Sequence, residues 1–195
     1  YALPPHRPIK KTIRRHHTLA GKSQSDLVIG MVGPRRKDPE YMSASIGNSV
    51  LGQFGMMGRI GDVVREKSGL AYYAYSSLNS GTGPGTWEVN AGVNPANLKK
   101  AIDLIERELR RFVKHGVTKQ ELADSQANYI GRLPLSLESN SGVVSAILNI
   151  YRYDLGLDYY LKYADLVRAV KRADVLETAR KYIDPDRLVI ATAGP

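Results

Sequence analysis

The chain is 195 residues long, 43% hydrophobic and 24% charged, with a formal net charge of +9. That length suits one domain, able to bury roughly 70% of the surface its unfolded form exposes. The absence of cysteine excludes disulfides, thiolate metal sites and a cysteine nucleophile, and no apolar run approaches the roughly 20 residues that span a membrane.

The basic residues do not form a nucleic-acid footprint. One cluster is Lys10, Lys11, Arg14 and Arg15, another is Arg35, Arg36 and Lys37, and the rest alternate with acids along helices. No recognised nucleic-acid motif accompanies them, so neither a nucleic-acid nor a membrane partner is predicted. The chain opens on Tyr1 rather than Met, from which we expect that a preceding segment has been lost.

Residues 1–9 carry Pro4, Pro5 and Pro8 and read as a linker, ahead of one domain over residues 10–195. Thr12 to Ala20 reads as an exposed, basic edge strand, and Leu27 to Val32 as a central one. Asp38-Pro39-Glu40 predicts a helix start, with Asp38 capping the first free amides. Met42, Ile46 and Val50 follow at spacing four and predict one buried stripe. Gly52, Gly55 and Gly58 then break the helix into a flexible loop. A second helix runs from Arg59 to Lys67, with Ile60, Val63 and Val64 inward and Gly69 ending it.

Leu70 to Leu78 reads as a tyrosine-rich strand, and Thr86 to Val93 alternates with Trp87, Val89, Ala91 and Val93 on one face. A loop containing Gly81, Gly83, Pro84 and Gly85 joins them into an antiparallel hairpin. The second half is helical. Asn94-Pro95 opens a helix with Leu98, Ile102, Ile105, Leu109 and Phe112 inward, closed by Gly116. Thr118 with Glu121 makes a capping box for the next, which should stop at Pro134. Helices over 138–153, 158–169 and 172–182 and a strand from Leu188 to Ala191 complete the chain. This order predicts an α+β fold, a mainly antiparallel sheet with helices packed on one face.

The order of motifs resembles the C-terminal domain of the pitrilysin/insulinase zinc peptidases, the family of the mitochondrial processing peptidase and of bacterial zinc peptidases. The matching pieces are Gly58-Arg59-Ile60, Val64 through Tyr72 (VREKSGLAY), Val117 through Leu122 (VTKQEL), Leu135 through Ser139 (LSLES), and Arg180 through Leu188 (RKYIDPDRL) with the final Gly194-Pro195. They cover the chain from about Lys10 onward.

The resemblance implies one half of a clam shell. In the family the N-terminal half holds zinc through a His-x-x-Glu-His helix, two histidines on one helix face with a nearby glutamate to take a proton from metal-bound water. The second half resembles the first but usually lacks these ligands. Here His6, His16, His17 and His115 have no such setting, and the corresponding helix reads Gly47-Asn48-Ser49-Val50-Leu51-Gly52. No zinc is therefore expected in this chain. It is expected instead in a partner, an N-terminal zinc-binding domain or subunit. The glycine-bearing stretch with Phe54, Met56 and Met57 takes the place of the family's substrate loop but reads as a mobile helix connection.

The family's second half also carries an arginine and a tyrosine seven residues apart that reach the zinc site and contact the peptide substrate. The matching residues here are Arg65 and Tyr72. At 100° per residue Arg65 points away from the Ile60, Val63 and Val64 stripe, and Tyr72 falls on the strand face shared with Leu70 and Ala74. The plain alternatives are a surface ion pair between Asp62 and Arg65 and a tyrosine of the sheet surface. The function implied is the non-catalytic half of a zinc metalloendopeptidase, with a structural or assembly subunit of the same family as the second reading and a basic nucleic-acid-binding module as the third. The sequence leaves a homodimer open.

Overall fold

A computed structural model describes residues 8–195; most of the linker expected over residues 1–9 lies outside the described residues. The fold is α+β. Five strands, β1 (Ile13–Thr18), β2 (Ser25–Gly33), β3 (Ala71–Asn79), β4 (Gly85–Val93) and β5 (Val189–Gly194), form one sheet in the order β1-β5-β2-β4-β3. Three ladders are antiparallel and one, β1 with β5, is parallel. The sheet is thus mixed, though mainly antiparallel. The parallel ladder arises because the last strand returns from the helical half and enters between β1 and β2.

Alternation along the strands separates two sheet faces. Leu27, Ile29 and Met31 of β2 and Trp87, Val89, Ala91 and Val93 of β4 are buried, on the face that the helices cover. Val28 and Val189 on the opposite face are exposed. The expected central strand is indeed the middle one, and the expected basic edge strand is at the edge, with Arg14 paired to Glu106 of the helical layer at 2.6 Å.

The helical layer comprises α1 (Tyr41–Gly52), α2 (Phe54–Gly61), α3 (Leu98–His115), α4 (Lys119–Ser136), α5 (Asn140–Tyr153), α6 (Tyr163–Ala169) and α7 (Arg172–Tyr182). α3 buries Ile102, Ile105, Leu109 and Phe112 as its spacing requires, and Gly116 closes it in a positive-φ conformation. α4 starts on the expected capping box: the Glu121 amide donates to Thr118 Oγ1, and the Thr118 amide donates to Glu121 Oε2 at 2.7 Å.

Several expectations change. Asp38 does not cap α1, which starts at Tyr41; Asp38 Oδ2 instead accepts from the Arg35 amide at 2.8 Å in the preceding turn. The α1 stripe is buried at Ile46 and Val50, with Met42 partly so, but burial extends beyond it: every residue from Ser43 to Gly52 is buried, because the helix lies in the middle of the layer. The glycine-bearing stretch is not a loop: backbone helix resumes at residue 54 and runs to Gly61. The second helix therefore begins before Arg59 and gives way to a π turn at Asp62. Pro134 does not stop α4, which continues to Ser136 with the proline in its last turn. The helix expected over 158–169 forms only from Tyr163.

Candidate functional site

Ile60 and Val64 are fully buried and anchor the chain just before the residues of interest. Asp62–Glu66 form a π turn, in which the Lys67 amide donates to the Asp62 carbonyl at 2.9 Å. Such a turn inserts one residue into the helical ladder and re-aims the side chains that follow. Arg65 stands on it with its side chain 35% exposed, paired with Glu66 at 3.6 Å. Asp62 does not pair with Arg65; its carboxylate takes Lys67 at 2.5 Å.

Gly69 then reverses the chain at φ +60, a conformation that favours glycine. Its amide donates to the Arg65 carbonyl at 2.8 Å, and the Leu70 amide donates to the Val64 carbonyl at 3.0 Å. These two bonds clamp the start of β3 onto the π turn.

Tyr72 is the second residue of β3 and is 66% exposed. It does not share the burial of Leu70 and Ala74, contrary to the alternation read from sequence. A β-bulge lies between Ala71, which pairs with Val93, and Tyr73, which pairs with Gly92. The extra residue is Tyr72, and a bulge re-aims its side chain. Arg65 and Tyr72 thus flank one hydrogen-bonded turn. The other strand tyrosines serve the sheet. Tyr73 donates to Asp26 at 2.8 Å and stacks at a tilt on Tyr75, with ring centroids 5.9 Å apart. Burial, then the Asp26 carboxylate, push the Tyr73 phenol up to about 12.

The corresponding helix, α1, does not fit a metal. Where ligands would stand, Asn48 Oδ1 accepts from Ser76 Oγ at 2.7 Å and from Trp87 Nε1 at 2.9 Å, which commits it to the core. Gly52 is pressed against β3 so closely that a Cβ there would stand 2.1 Å from the Ser76 nitrogen. Among the described residues no group of three or more His, Cys, Asp or Glu is placed to hold a metal ion. His16 Nδ1 is 2.9 Å from Thr192 Oγ1.

The sequence reading missed a charged cluster between α2, α3 and α4. Arg59 at the end of α2 binds Glu121 of α4 with two prongs and lies 3.6 Å from Glu108 of α3. Glu108 is 4% exposed, and Arg111 is its other cation at 3.5 Å. Burial outweighs both cations and raises the Glu108 carboxyl. A signal was present: Glu108 falls among Ile105, Leu109 and Phe112, on the inward face of α3.

Fold and site together define an α+β domain in which no group of three or more potential metal ligands gathers among the described residues. The chain belongs to the peptidase M16 inactive-domain family, whose model matches residues 1–129. It is 31% identical over 124 residues to an uncharacterised zinc protease of Streptomyces coelicolor, covering 64% of this chain and 27% of that protein. It is also 31% identical over 122 residues to the uncharacterised zinc protease YmxG of Bacillus subtilis, covering 63% of this chain and 30% of that protein. The chain thus spans about a third of the length of these relatives.

Among solved structures, a peptidase M16 inactive domain from Pseudomonas fluorescens superposes with a TM-score of 0.88 at 27% identity, over 100% of this chain and 46% of that one. A protease from Helicobacter pylori shares the fold, with a TM-score of 0.83 at 20% identity over 95% of this chain and 45% of that one.

Proposed function

We propose that this chain is the substrate-binding, non-catalytic half of a zinc metalloendopeptidase, completed by an N-terminal zinc-bearing domain or subunit. The observation that carries the reading is the exposure of Tyr72 and the partial exposure of Arg65, on either side of a turn held by two backbone bonds. Neither side chain is spent on the core. Arginine offers five fixed donors and tyrosine one phenolic donor. Donors held in place by their own backbone can meet a peptide carbonyl, and favour it more as negative charge develops on its oxygen. The zinc half would supply the activated water.

The test uses the complete two-half protein and a peptide substrate. Arg65→Ala and Tyr72→Phe are each expected to lower turnover by about 10², with the far-UV circular dichroism unchanged. Unchanged turnover in both variants would remove the substrate-contact role and leave the second reading, a subunit with a structural or assembly part.

A further inference from the structure

A helix at the edge of a domain normally turns its apolar stripe inward, and α5 does the reverse. Its one buried residue is Ala146. Val143, Val144, Ile147, Leu148 and Tyr151 are between 41% and 88% exposed. At about 100° per residue those five fall in one stripe roughly 140° wide, with Ala146 and the half-buried Ile150 outside it. The stripe carries no charge, and the only charged residue of the helix is Arg152. Just after the helix in sequence, Leu157 and Leu161 are 91% and 86% exposed.

Scattered apolar side chains on a surface need no explanation, whereas a contiguous patch marks an interface. Among the described residues, eight of the fourteen exposed large hydrophobic side chains lie between positions 135 and 161, so the patch is local. Uncharged aliphatic side chains with tyrosine are the composition of an interface core, not of a rim.

The relatives' lengths point to the occupant. The similar solved chains are about twice as long as this one, so they carry a further region of comparable size on the same polypeptide. A permanently attached partner is the one for which a permanently apolar face is no aggregation hazard. We propose that the α5 stripe, with Leu157 and Leu161, docks an uncharged aliphatic surface of the N-terminal half of the protein. This rests on the two-half reading above and adds where on this chain the halves meet.

The experiment is photo-cross-linking of the full-length protein with p-benzoylphenylalanine in place of Ile147. The expected product links position 147 to residues outside 1–195. A link to residues 1–195 of a second copy, or no link, overturns the proposal, the former by assigning the face to self-association. In a companion measurement with the halves expressed separately, Ile147→Lys combined with Leu148→Lys should weaken their association at least tenfold while the circular dichroism of this chain is unchanged. Association that survives the double variant counts equally against the proposal. Normal turnover in the Arg65 and Tyr72 variants, with the cross-link retained, would remove the substrate-contact reading and leave the docking surface standing.

Discussion

Arg59 grips Glu121 with two parallel bonds, Nε to Oε1 at 2.7 Å and Nη2 to Oε2 at 2.6 Å, and so ties the end of the glycine-bearing helix to the first turn of α4. The guanidinium is 13% exposed and the Glu108 carboxylate beside it 5%. One cation therefore serves two acids across three helices.

Removing that cation should be costly. Arg59→Met leaves Glu108 buried with Arg111 as its remaining cation and strips Glu121 of its partner. A broken buried pair destabilises by about 3–5 kcal/mol. Urea unfolding followed by the fluorescence of Trp87, the single tryptophan, should read a loss in that range. Arg65→Ala, a few residues on and one-third exposed, should stay within about 0.5 kcal/mol. Equal losses in the two variants would refute the assignment of the buried cation to Arg59.

The same pair sets an acid limb. Burial alone would raise Glu121, but Arg59 and the donors of Thr118 outweigh it and hold the carboxyl at about 2, below its ordinary 4.5. A carboxyl depressed in the folded state adds stability that is fully present above its unfolded value and disappears as pH falls through its folded one. Stability should therefore decline from about pH 4.5 toward pH 2. Glu121→Gln should make that decline shallower, and an unaltered slope would show that other carboxyls set it. Glu108 acts in the opposite sense: its raised carboxyl costs stability near neutral pH and relieves that cost on protonation.

Two glycines in helices should respond oppositely to alanine. At Gly52 a Cβ would stand 2.1 Å from the Ser76 nitrogen and 2.3 Å from its Oγ, so α1 or β3 must move. Overpacking of this kind costs about 1–3 kcal/mol. At Gly131, exposed within α4, a Cβ meets nothing within 4 Å, and Gly131→Ala should stabilise by about 0.5–1 kcal/mol. Thermal midpoints moving in opposite directions would bear this out.

Asn48 accepts two bonds from donors inside the core, Ser76 and Trp87. Asn48→Ala orphans the Trp87 indole and leaves Ser76 Oγ the Asn48 backbone carbonyl at 3.3 Å. An unsatisfied buried group costs about 1–3 kcal/mol, so a loss in that range is expected by chemical denaturation. A loss near zero would mean that the indole finds another acceptor.

Local signals carry directly into the fold. The Thr118–Glu121 box sits three residues apart and closes where spacing places it, and the continuous apolar run of β2 is the middle strand. Signals that depend on distant neighbours do not. Gly52 and Gly58 look like helix breakers in a line of text, yet each stands where another backbone segment comes closer than a Cβ would permit. The bulge at Tyr72 is set by its pairing with β4, in which Val93 and Gly92 face Ala71 and Tyr73, and nothing between Leu70 and Ala74 announces it. The exposure of the α5 stripe is likewise settled by its tertiary placement, because periodicity reports a face and not its direction.

By itself the sequence determined the five strands and most of the helices, the fold class, the family, and the seven-residue spacing of Arg65 and Tyr72. Those follow from short-range rules: capping, periodicity, turn chemistry and motif order. Only the tertiary structure decided that Tyr72 leaves the alternation of its strand, that Arg59 answers two acids from different helices, and that α5 turns its apolar side away from the core. These depend on contacts between residues far apart in the chain, which no local pattern records.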